Sequence, residues 1–395
     1  MQKIITVALF FLFVSIHLIG QKSSDYKSPI NWLTLEEADS LYKIQKRPIF
    51  IDVFTNWCGW CKRMDASTFK DPNVAAYLNT NFYPVKLNAE TRDTITFNGK
   101  TYTNSQSAKV KKVINDLNKK ITFLTDSINK LKLSKTESEK AITNSINQYS
   151  YQINNIKRKS RKTTHDVAID LCRGQMSYPT FILLFNDLQA NMPLKGFLKV
   201  PDLIGYLAFI NEGAYRTTRD AGLFTELFKQ IIKPDSTLQK EIVKWVSFET
   251  AIEKAKKDGK KILVHLINKN SISSNIMDKA SYRDPFTAKK INKNFHAVKL
   301  NVNETNPIKY RDQVLKNVNG VHQLSIALMQ NKISFPTHSF LDNNGNLIMR
   351  VPQFFAPKLI DPVLDYFIEE GYKTGNFGDW QKAKSKNVNL SPVKN

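Results

Sequence analysis

The sequence predicts an α/β protein in which one domain occurs twice and the first copy carries an inserted helical hairpin. Two pairs of matching segments indicate the duplication. Residues 81–88 (NFYPVKLN) match residues 294–301 (NFHAVKLN) at an offset of 213, and residues 177–180 (SYPT) match residues 334–337 (SFPT) at an offset of 157. Because the offset falls by 56 between the two pairs, the first copy contains 56 additional residues between its matching parts.

Length and composition agree with two globular domains and exclude several classes of protein. The chain has 395 residues, of which 42% are hydrophobic, and this is too many for a wholly disordered chain. The net charge is +23, but the lysines alternate with Asn, Ser and Asp and form no arginine-rich stripe, so we expect no nucleic-acid partner. Three cysteines are too few for a disulfide-stapled scaffold or a four-thiolate metal site.

The N-terminus predicts export from the cytoplasm. Residues 1–20 are typical of a signal peptide, since a short region containing Lys3 precedes an apolar run over residues 4–20. The length of that run leaves an uncleaved membrane anchor as an alternative. No cysteine lies directly after the run, so attachment as a lipoprotein is not expected. The remainder is predicted to be a periplasmic or secreted protein.

In the first copy, helix and strand signals alternate from the beginning. A capping box at residues 34–37 predicts a helix start, and the apolar run at residues 48–54 predicts a buried strand. The Asp-Pro pair at residues 71–72 predicts the start of another helix, because proline suits the first helical position. Residues 82–87 are typical of a second buried strand. The order of these elements favours a sheet covered by helices on both faces.

Beyond the insertion, the first copy ends in further helices and strands. We expect a helix at residues 167–171, a strand at 180–185 and a closing helix at 201–211. These signals predict the following boundaries: a signal peptide (1–20), a first domain (30–213), a linker (214–243), a second domain (244–375) and a disordered tail (376–395).

The insertion, residues 106–161, has the apolar spacing of two packed helices. Its apolar residues alternate steps of three and four, with isoleucine and leucine in the heptad positions that face a partner helix. Thr136 begins a capping box that restarts the helix after a short break. An antiparallel hairpin about 40 Å long follows from a rise of 1.5 Å per residue. A parallel dimer formed through the same residues is the alternative.

The hexapeptide WCGWCK at residues 57–62 is the strongest chemical signal. It follows a predicted strand and opens a helix, so Cys58 lies at the positive end of a helix dipole and is expected to be an exposed thiol with a lowered pKa. Cys61 lies one turn further along, close enough to form a disulfide and shielded enough to attack a mixed disulfide. Half of a zinc site is the alternative, but no second Cys-x-x-Cys pair is present.

At these residues the sequence resembles the thioredoxin superfamily, in particular the periplasmic thioredoxin-like domains with a WCxxCK motif, such as the C-terminal domain of the DsbD reductase. Asp52, six residues before Cys58, and the Tyr178-Pro179-Thr180 step extend the resemblance over most of residues 30–213. It implies that Asp52 assists proton transfer at Cys61. It also implies that Pro179 is cis and that the residue before it presents its backbone to an extended substrate.

Physical reasoning adds to the expectation for Asp52, and a second resemblance concerns the insertion. An aspartate within an apolar strand is either a proton acceptor with a raised pKa or a hydrogen-bonded structural residue. The insertion is similar in position to the helical insertion of DsbA-type thioredoxin-like oxidases. That similarity suggests a lid, a docking arm or a dimer contact near Cys58.

The second copy has lost the residues that carry redox chemistry. Ser271 and Ser274 occupy the positions of the two cysteines, and His265 occupies the position of Asp52. Pro336 is retained. Serine cannot form a disulfide, so the second copy is predicted to be a redox-inactive thioredoxin-like fold. His265 is expected to be a hydrogen-bonded histidine of its core.

The predicted function is thiol–disulfide exchange with protein cysteines of the cell envelope. The direction of electron flow is left open, and so is the identity of the electron donor or acceptor. No metal and no cofactor other than the Cys58–Cys61 disulfide is expected. A non-catalytic envelope adaptor is the alternative function. The candidate site residues are Cys58, Cys61 and Asp52 for catalysis and Trp57, Trp60, Tyr178 and Pro179 for substrate binding.

Overall fold

The computed structural model describes residues 28–131, 137–233 and 241–388. It contains two α/β units, each built on its own four-stranded mixed sheet. The predicted signal peptide at residues 1–20 and the predicted helix cap Thr136 lie outside the described residues. Within the described ranges, no helix is long and apolar enough to cross a membrane.

The first unit alternates helices and strands much as the sequence predicts. Thr34 caps the first helix in a capping box with Glu37, and Asp71 caps the helix that begins at Pro72. A short hairpin of two strands before the insertion was not predicted. The elements are α1 (Leu35–Ile44), β1 (Ile49–Phe54), α2 (Gly59–Ala66), α3 (Pro72–Asn81), β2 (Tyr83–Asn88), β3 (Ile95–Phe97), β4 (Lys100–Tyr102), α4 (Ser105–Leu131), α5 (Glu137–Lys159), α6 (Asp166–Leu171), β5 (Thr180–Phe185), β6 (Ala190–Lys195) and α7 (Val200–Asn211).

The sheet of the first unit has the strand order β2-β1-β5-β6, with β2 parallel to β1 and the other neighbours antiparallel. Side chains of β1 alternate between its two faces, because successive residues of a strand point in opposite directions. Ile51 and Val53 pack in the core beside α1 and α6, whereas Phe50 packs in the core beside α2, α3 and α7. Asp52 shares the face of Phe50, so a carboxyl group lies inside an apolar layer.

The insertion consists of α4 and α5, which pack against each other as an antiparallel pair, here called the arm. Its foot is fastened to the unit by polar contacts: Ser105 Oγ donates to Asp166 Oδ1 (2.8 Å), and Thr164 N donates to Gln106 Oε1 (3.3 Å). On α5, Ile153 is 5% exposed, whereas most apolar residues of the arm are only half-buried. A pair of helices therefore projects from a well-anchored base.

The segment at residues 214–243, expected to be a linker, contains a packed helix, α8 (Ala221–Ile231). Phe224 of this helix contacts Phe209 of α7 and Phe354 of the second unit, with ring centroids 5.6 and 5.1 Å apart. Gly205 lets α7 pack closely against α8, since a Cβ at Gly205 would lie 2.8 Å from the Cγ2 atom of Thr225 in α8. The linker prediction is therefore wrong over α8, which belongs to a core shared by both units.

The second unit repeats the arrangement of the first. Its sheet order, β8-β7-β13-β14, has the same pattern of one parallel and two antiparallel pairs. Its elements are α9 (Phe248–Asp258), β7 (Lys261–Ile267), α10 (Ile272–Lys279), α11 (Pro285–Asn294), β8 (Phe295–Asn301), β9 (Ile308–Tyr310), β10 (Gln313–Leu315), β11 (Asn317–Val318), β12 (Val321–His322), α12 (Gln323–Leu328), β13 (Thr337–Leu341), β14 (Leu347–Val351), α13 (Asp361–Ile368) and α14 (Phe377–Val388).

The tail predicted to be disordered at residues 376–395 is helical over α14. Trp380 of this helix packs against Tyr366 of α13, with ring centroids 5.4 Å apart, and also lies against Gly371. The lysine-rich composition gave no sign of this helix, because two aromatic residues, Phe377 and Trp380, anchor it against Tyr366 and its other side chains are mostly exposed. Residues 389–395 lie outside the described part of the chain.

Candidate active site

Cys58 and Cys61 form a disulfide at the N-terminus of α2, directly after β1. Cys58 is the N-cap of this helix: its Sγ accepts a hydrogen bond from the backbone N–H of Cys61 at 3.0 Å. Its own N–H donates to Thr55 O, which fixes the turn between strand and helix. Such a position stabilises a thiolate when the disulfide is reduced. The sequence prediction was wrong on one point, because Cys58 is only 4% exposed in the disulfide form.

Trp57 and Trp60 are the exposed residues of the motif, at 51% and 55%. Trp57 is held from two sides: its Nε1 donates to Glu90 Oε1 at 2.9 Å, and Lys162 Nζ lies 4.3 Å from the centroid of its ring. Cations are attracted to the face of a tryptophan ring in this arrangement. Lys162 directly follows the insertion, so the chain leaving the arm contacts the residue next to Cys58.

Trp60 is supported on the opposite side of the motif. Its ring lies 5.8 Å from that of Phe197, and the guanidinium of Arg63 lies over both rings at 5.3 and 5.4 Å. These contacts orient an apolar surface that is still more than half exposed. The two tryptophans therefore flank the disulfide as ordered, accessible aromatic groups.

Tyr178, the residue before Pro179, packs against the disulfide motif. The Tyr178-Pro179 peptide bond is cis, and β5 begins at the next residue, Thr180. The ring of Tyr178 meets that of Trp57 edge to face at 5.7 Å. Pro179 O accepts a hydrogen bond from Gly196 N, which ties the step to the residue after β6. The structure thus brings Trp57 and the Tyr178-Pro179 step together around Cys58.

Asp52 is buried in the middle of β1, with 1% of its side chain exposed. Lys86 is its register partner on β2, and Lys86 Nζ lies 3.0 Å from Asp52 Oδ2. This is an ion-pair distance, and no side chain other than Lys86 is paired with the carboxylate among the described residues. Burial raises the pKa of Asp52 to about 6, while the charge of Lys86 opposes the shift. Asp65 contacts the same ammonium group.

A carboxyl group with a pKa near neutrality is suited to accept and return a proton. The alternative, a structural aspartate held by its partner Lys86, is compatible with the same contact. Sequence reasoning missed Lys86 as the partner of Asp52. The signal was present, because Lys86 and its counterpart Lys299 occupy the same place in the two repeated octapeptides.

Two further residues of the first unit are structural. Cys172 is a free, buried thiol, and burial raises its pKa to about 11. His165 caps α6, since its Nδ1 accepts from Val167 N at 3.2 Å, and its Nε2 contacts Asp93 O at 2.9 Å. Among the described residues, no group of His, Cys, Asp and Glu side chains has the arrangement of a metal site.

The matching site of the second unit is occupied by a carboxylate from the first. Ser271 is the N-cap of α10, and Glu212, at the end of α7, accepts hydrogen bonds from Ser271 Oγ and from the N–H groups of Ile272 and Ser273 at 2.7–2.9 Å. The peptide bond before Pro336 is cis, as in the first unit. Nothing in the sequence pattern pointed to Glu212, because its partners lie about 60 residues away.

His265 differs from expectation. It is fully buried as predicted, but neither ring nitrogen has a hydrogen-bond partner among the described residues. Instead its ring stacks on His338 at 5.1 Å and lies 4.5 Å from the ring of Tyr282. Burial lowers its pKa well below the ordinary value, so the ring is neutral and packs as an aromatic group.

Comparison with known proteins identifies related chains. A family model described as "Thioredox_DsbH: Protein of unknown function, DUF255" matches residues 18–167 and 236–360, which together exceed half of the chain. Stretches of 80 residues are 34% identical to an uncharacterized protein of Caenorhabditis elegans and 31% identical to spermatogenesis-associated protein 20 of Rattus norvegicus. Each covers 19% of this chain, and the chain spans only 11% and 10% of these relatives.

Two solved structures are similar to parts of the chain. A DsbH oxidoreductase is 15% identical, with a TM-score of 0.26, over 35% of this chain and 91% of that one. A thioredoxin-fold protein from Helicobacter pylori is 15% identical, with a TM-score of 0.27, over 41% of this chain and 99% of that one. The family model, which matches most of the chain, therefore carries the relationship.

Proposed function

Because the chain belongs to the Thioredox_DsbH family, we propose that it is a thiol–disulfide oxidoreductase that acts on protein cysteines of the cell envelope through Cys58 and Cys61. The observation that carries the proposal is the disulfide at the start of α2, with Cys58 as the helix N-cap and two exposed tryptophans beside it. A disulfide with a purely structural role requires neither the exposed tryptophans nor the buried carboxyl group of Asp52 in β1.

The exchange begins with the reduced protein. The Cys58 thiolate attacks one sulfur of a substrate disulfide, forming a mixed disulfide and releasing the other substrate sulfur as a thiolate. Cys61 then attacks the Sγ of Cys58, which restores the Cys58–Cys61 disulfide and releases the second substrate sulfur. The substrate is reduced and the protein is oxidised. The reverse sequence inserts a disulfide into the substrate.

Two groups of residues assist these steps in the proposal. Asp52 accepts the proton that Cys61 loses on attack and returns it in the reverse direction, which its pKa of about 6 permits near neutral pH. Trp57, Trp60, Tyr178 and Pro179 form the surface on which the substrate chain lies, because aromatic groups and the backbone of the residue before Pro179 can bind an extended peptide without demanding one sequence.

The second unit has a structural role in this proposal. It is a further copy of the same domain, in which Ser271 and Ser274 replace the two cysteines. With Glu212 on its helix N-terminus, that position is filled from within the chain. We therefore assign exchange chemistry to the first unit alone.

Equilibration of the full chain in glutathione buffers tests the proposal and determines the direction of electron flow. The fraction of the Cys58–Cys61 disulfide is measured by alkylation and mass spectrometry, with the Cys58→Ser, Cys61→Ser double variant as the control. A reduction potential of about −270 mV for the cysteine pair indicates a reductase, and one of about −120 mV indicates an oxidase. Failure of the cysteines to exchange with glutathione would favour the non-catalytic adaptor.

A further inference from the structure

A cleft of about 650 Å³ lies between the foot of the arm and the body of the first unit. One wall is the first part of α4 and the end of α5, and the other is the loop after β2 together with the residues that lead into α4. Three basic residues line it, Arg92, Lys111 and Lys157, and no carboxylate does. The volume is within the roughly 300–1,000 Å³ of ligand clefts.

The basic residues of this cleft are not neutralised within the described part of the chain. None of the three cationic groups has a carboxylate within 4.0 Å there. The acidic residues nearest to Arg92 in sequence are engaged elsewhere: Glu90 accepts from Trp57, and Asp93 accepts from Thr91. Like charges held around one cleft create a positive potential, which attracts an anionic ligand.

Hydrogen bonds of the buried Asn104 side chain hold the floor of the cleft in place. Asn104 is 4% exposed and joins three segments: its Nδ2 donates to Thr91 O and Thr163 O, and its Oδ1 accepts from Ser107 N. Both walls are therefore fixed relative to each other by one buried amide. Such a preformed cleft loses little conformational entropy when a ligand binds.

The cleft is connected through Lys162 to the tryptophan beside Cys58. Ser160 lines it, and two residues further along the chain Lys162 lies over the ring of Trp57, the neighbour of Cys58. Apolar side chains of Val110 and Ile114 line the same cleft between the basic groups. A ligand that matches both the basic residues and the apolar side chains of the cleft carries carboxylates and apolar groups in one extended segment, as a polypeptide does.

We propose that this cleft binds an acidic stretch of the protein whose cysteines react at Cys58, so that the arm selects substrates by charge. The proposal rests on the exchange activity proposed above and adds a substrate class to it. The acidic stretch lies between α4 and the loop at Arg92, and the reacting disulfide lies beyond Trp57. The exchange step itself is unchanged.

Exchange rates of the full-length, reduced protein with synthetic peptide disulfides test this. Two peptides share one disulfide, and one carries a flank of Asp and Glu with apolar residues where the other has Gln with the same apolar residues. We expect about tenfold faster exchange with the acidic peptide at low ionic strength, and a smaller ratio at high salt. The variant Arg92→Gln, Lys111→Gln, Lys157→Gln should bring this ratio close to one.

The matched control is Lys112→Gln, Lys119→Gln, Lys130→Gln, which removes three exposed lysines of α4 that do not line the cleft. It should keep the acidic preference. An equal loss of the preference for the acidic peptide in both variants would overturn the proposal, because the net charge of the protein would then be enough to explain the preference. Inorganic pyrophosphate binding to the wild type without any preference for the acidic peptide would also overturn it, in favour of a small anion.

Two further measurements separate this proposal from the exchange activity. The neutral disulfide of 2-mercaptoethanol should react equally with the wild type and both variants, and no reaction with the wild type would contradict the exchange activity alone. A cysteine-free version of the acidic peptide should bind the oxidised protein, as measured by fluorescence anisotropy. Absence of that binding would contradict the cleft assignment whatever the exchange assay shows.

Discussion

Glu212 of the first unit accepts a hydrogen bond from Ser271 of the second, at the helix position where the first unit has Cys58. The same carboxylate also accepts from the backbone N–H groups of Ile272 and Ser273, so it satisfies donors that a helix N-terminus otherwise leaves to water. The helix dipole favours a negative charge there. A position that carries a thiol in one unit thus serves, in the other, as a contact between the units.

This contact predicts a measurable contribution to stability. Glu212→Gln keeps the shape of the side chain but removes its charge, so we expect the free energy of unfolding to fall by about 1 to 2 kcal/mol. Urea unfolding of the full chain at neutral pH measures the change. Glu253→Gln, which alters an exposed glutamate of α9, is the control and should leave stability unchanged. Equal values for both variants would show that the Glu212 contact is not stabilising.

Substitution of Cys61 should trap substrates. In Cys61→Ser, the Cys58 thiolate still forms mixed disulfides but no second thiol releases them, so covalent complexes with envelope proteins accumulate. Cys58→Ser should trap none, because Cys61 lies within α2 and not at the N-cap position, where the helix favours a thiolate. Non-reducing electrophoresis after acid quenching measures the complexes. Trapping by both variants alike would contradict the assignment of attacking and resolving roles.

Asp52→Asn should stabilise the protein and slow its chemistry. The pKa of Asp52 is raised from 3.8 to about 6 on folding, so the folded state holds the proton more tightly than the unfolded chain does. Stability therefore falls as pH rises from about 4 to 6, by about 2 to 3 kcal/mol. Asn carries no charge and avoids this loss. The free energy of unfolding of the variant should therefore exceed that of the wild type by about 2 to 3 kcal/mol at pH 7 and differ little from it at pH 4.

Urea unfolding at both pH values measures this effect, and the release of the mixed disulfide should be slower in the variant at pH 7. Asp39→Asn is the matched control, because Asp39 is also a buried aspartate of the first unit but pairs with Lys43 outside the site. It should not stabilise the protein. A pH-independent stability difference for Asp52→Asn would show that the buried charge is not its cause.

Removal of the arm should separate chemistry from substrate choice. Replacing residues 106–161 with a short linker leaves Asn104, Lys162 and every residue around the disulfide in place. We expect the trimmed protein to fold and to react with a small disulfide at the wild-type rate, while trapping of protein partners through Cys61→Ser is lost. Unchanged trapping together with an unchanged oligomeric state would exclude both a docking role and a dimer contact for the arm.

The sequence by itself determined the features that depend on local chemistry and on repetition. The caps at Thr34 and Asp71, the helix that begins after Cys58, and the two helices of the insertion follow from spacing that each segment carries in itself. The resemblance implied the cis peptide before Pro179, and the repeat extended the same geometry to Pro336. These elements form because their signals lie within a few residues of one another.

Only the tertiary structure decided which distant groups meet. It placed Lys86 beside Asp52, Lys162 over Trp57 and Glu212 on the second unit, although each pair is separated by at least 34 residues. It also made α8 part of a shared core where composition suggested a linker, because the apolar residues that α8 carries at helical spacing pack against apolar residues of both units. Burial, which sets the pKa of Asp52 and leaves His265 without a partner, is a property of the packed chain and not of any segment.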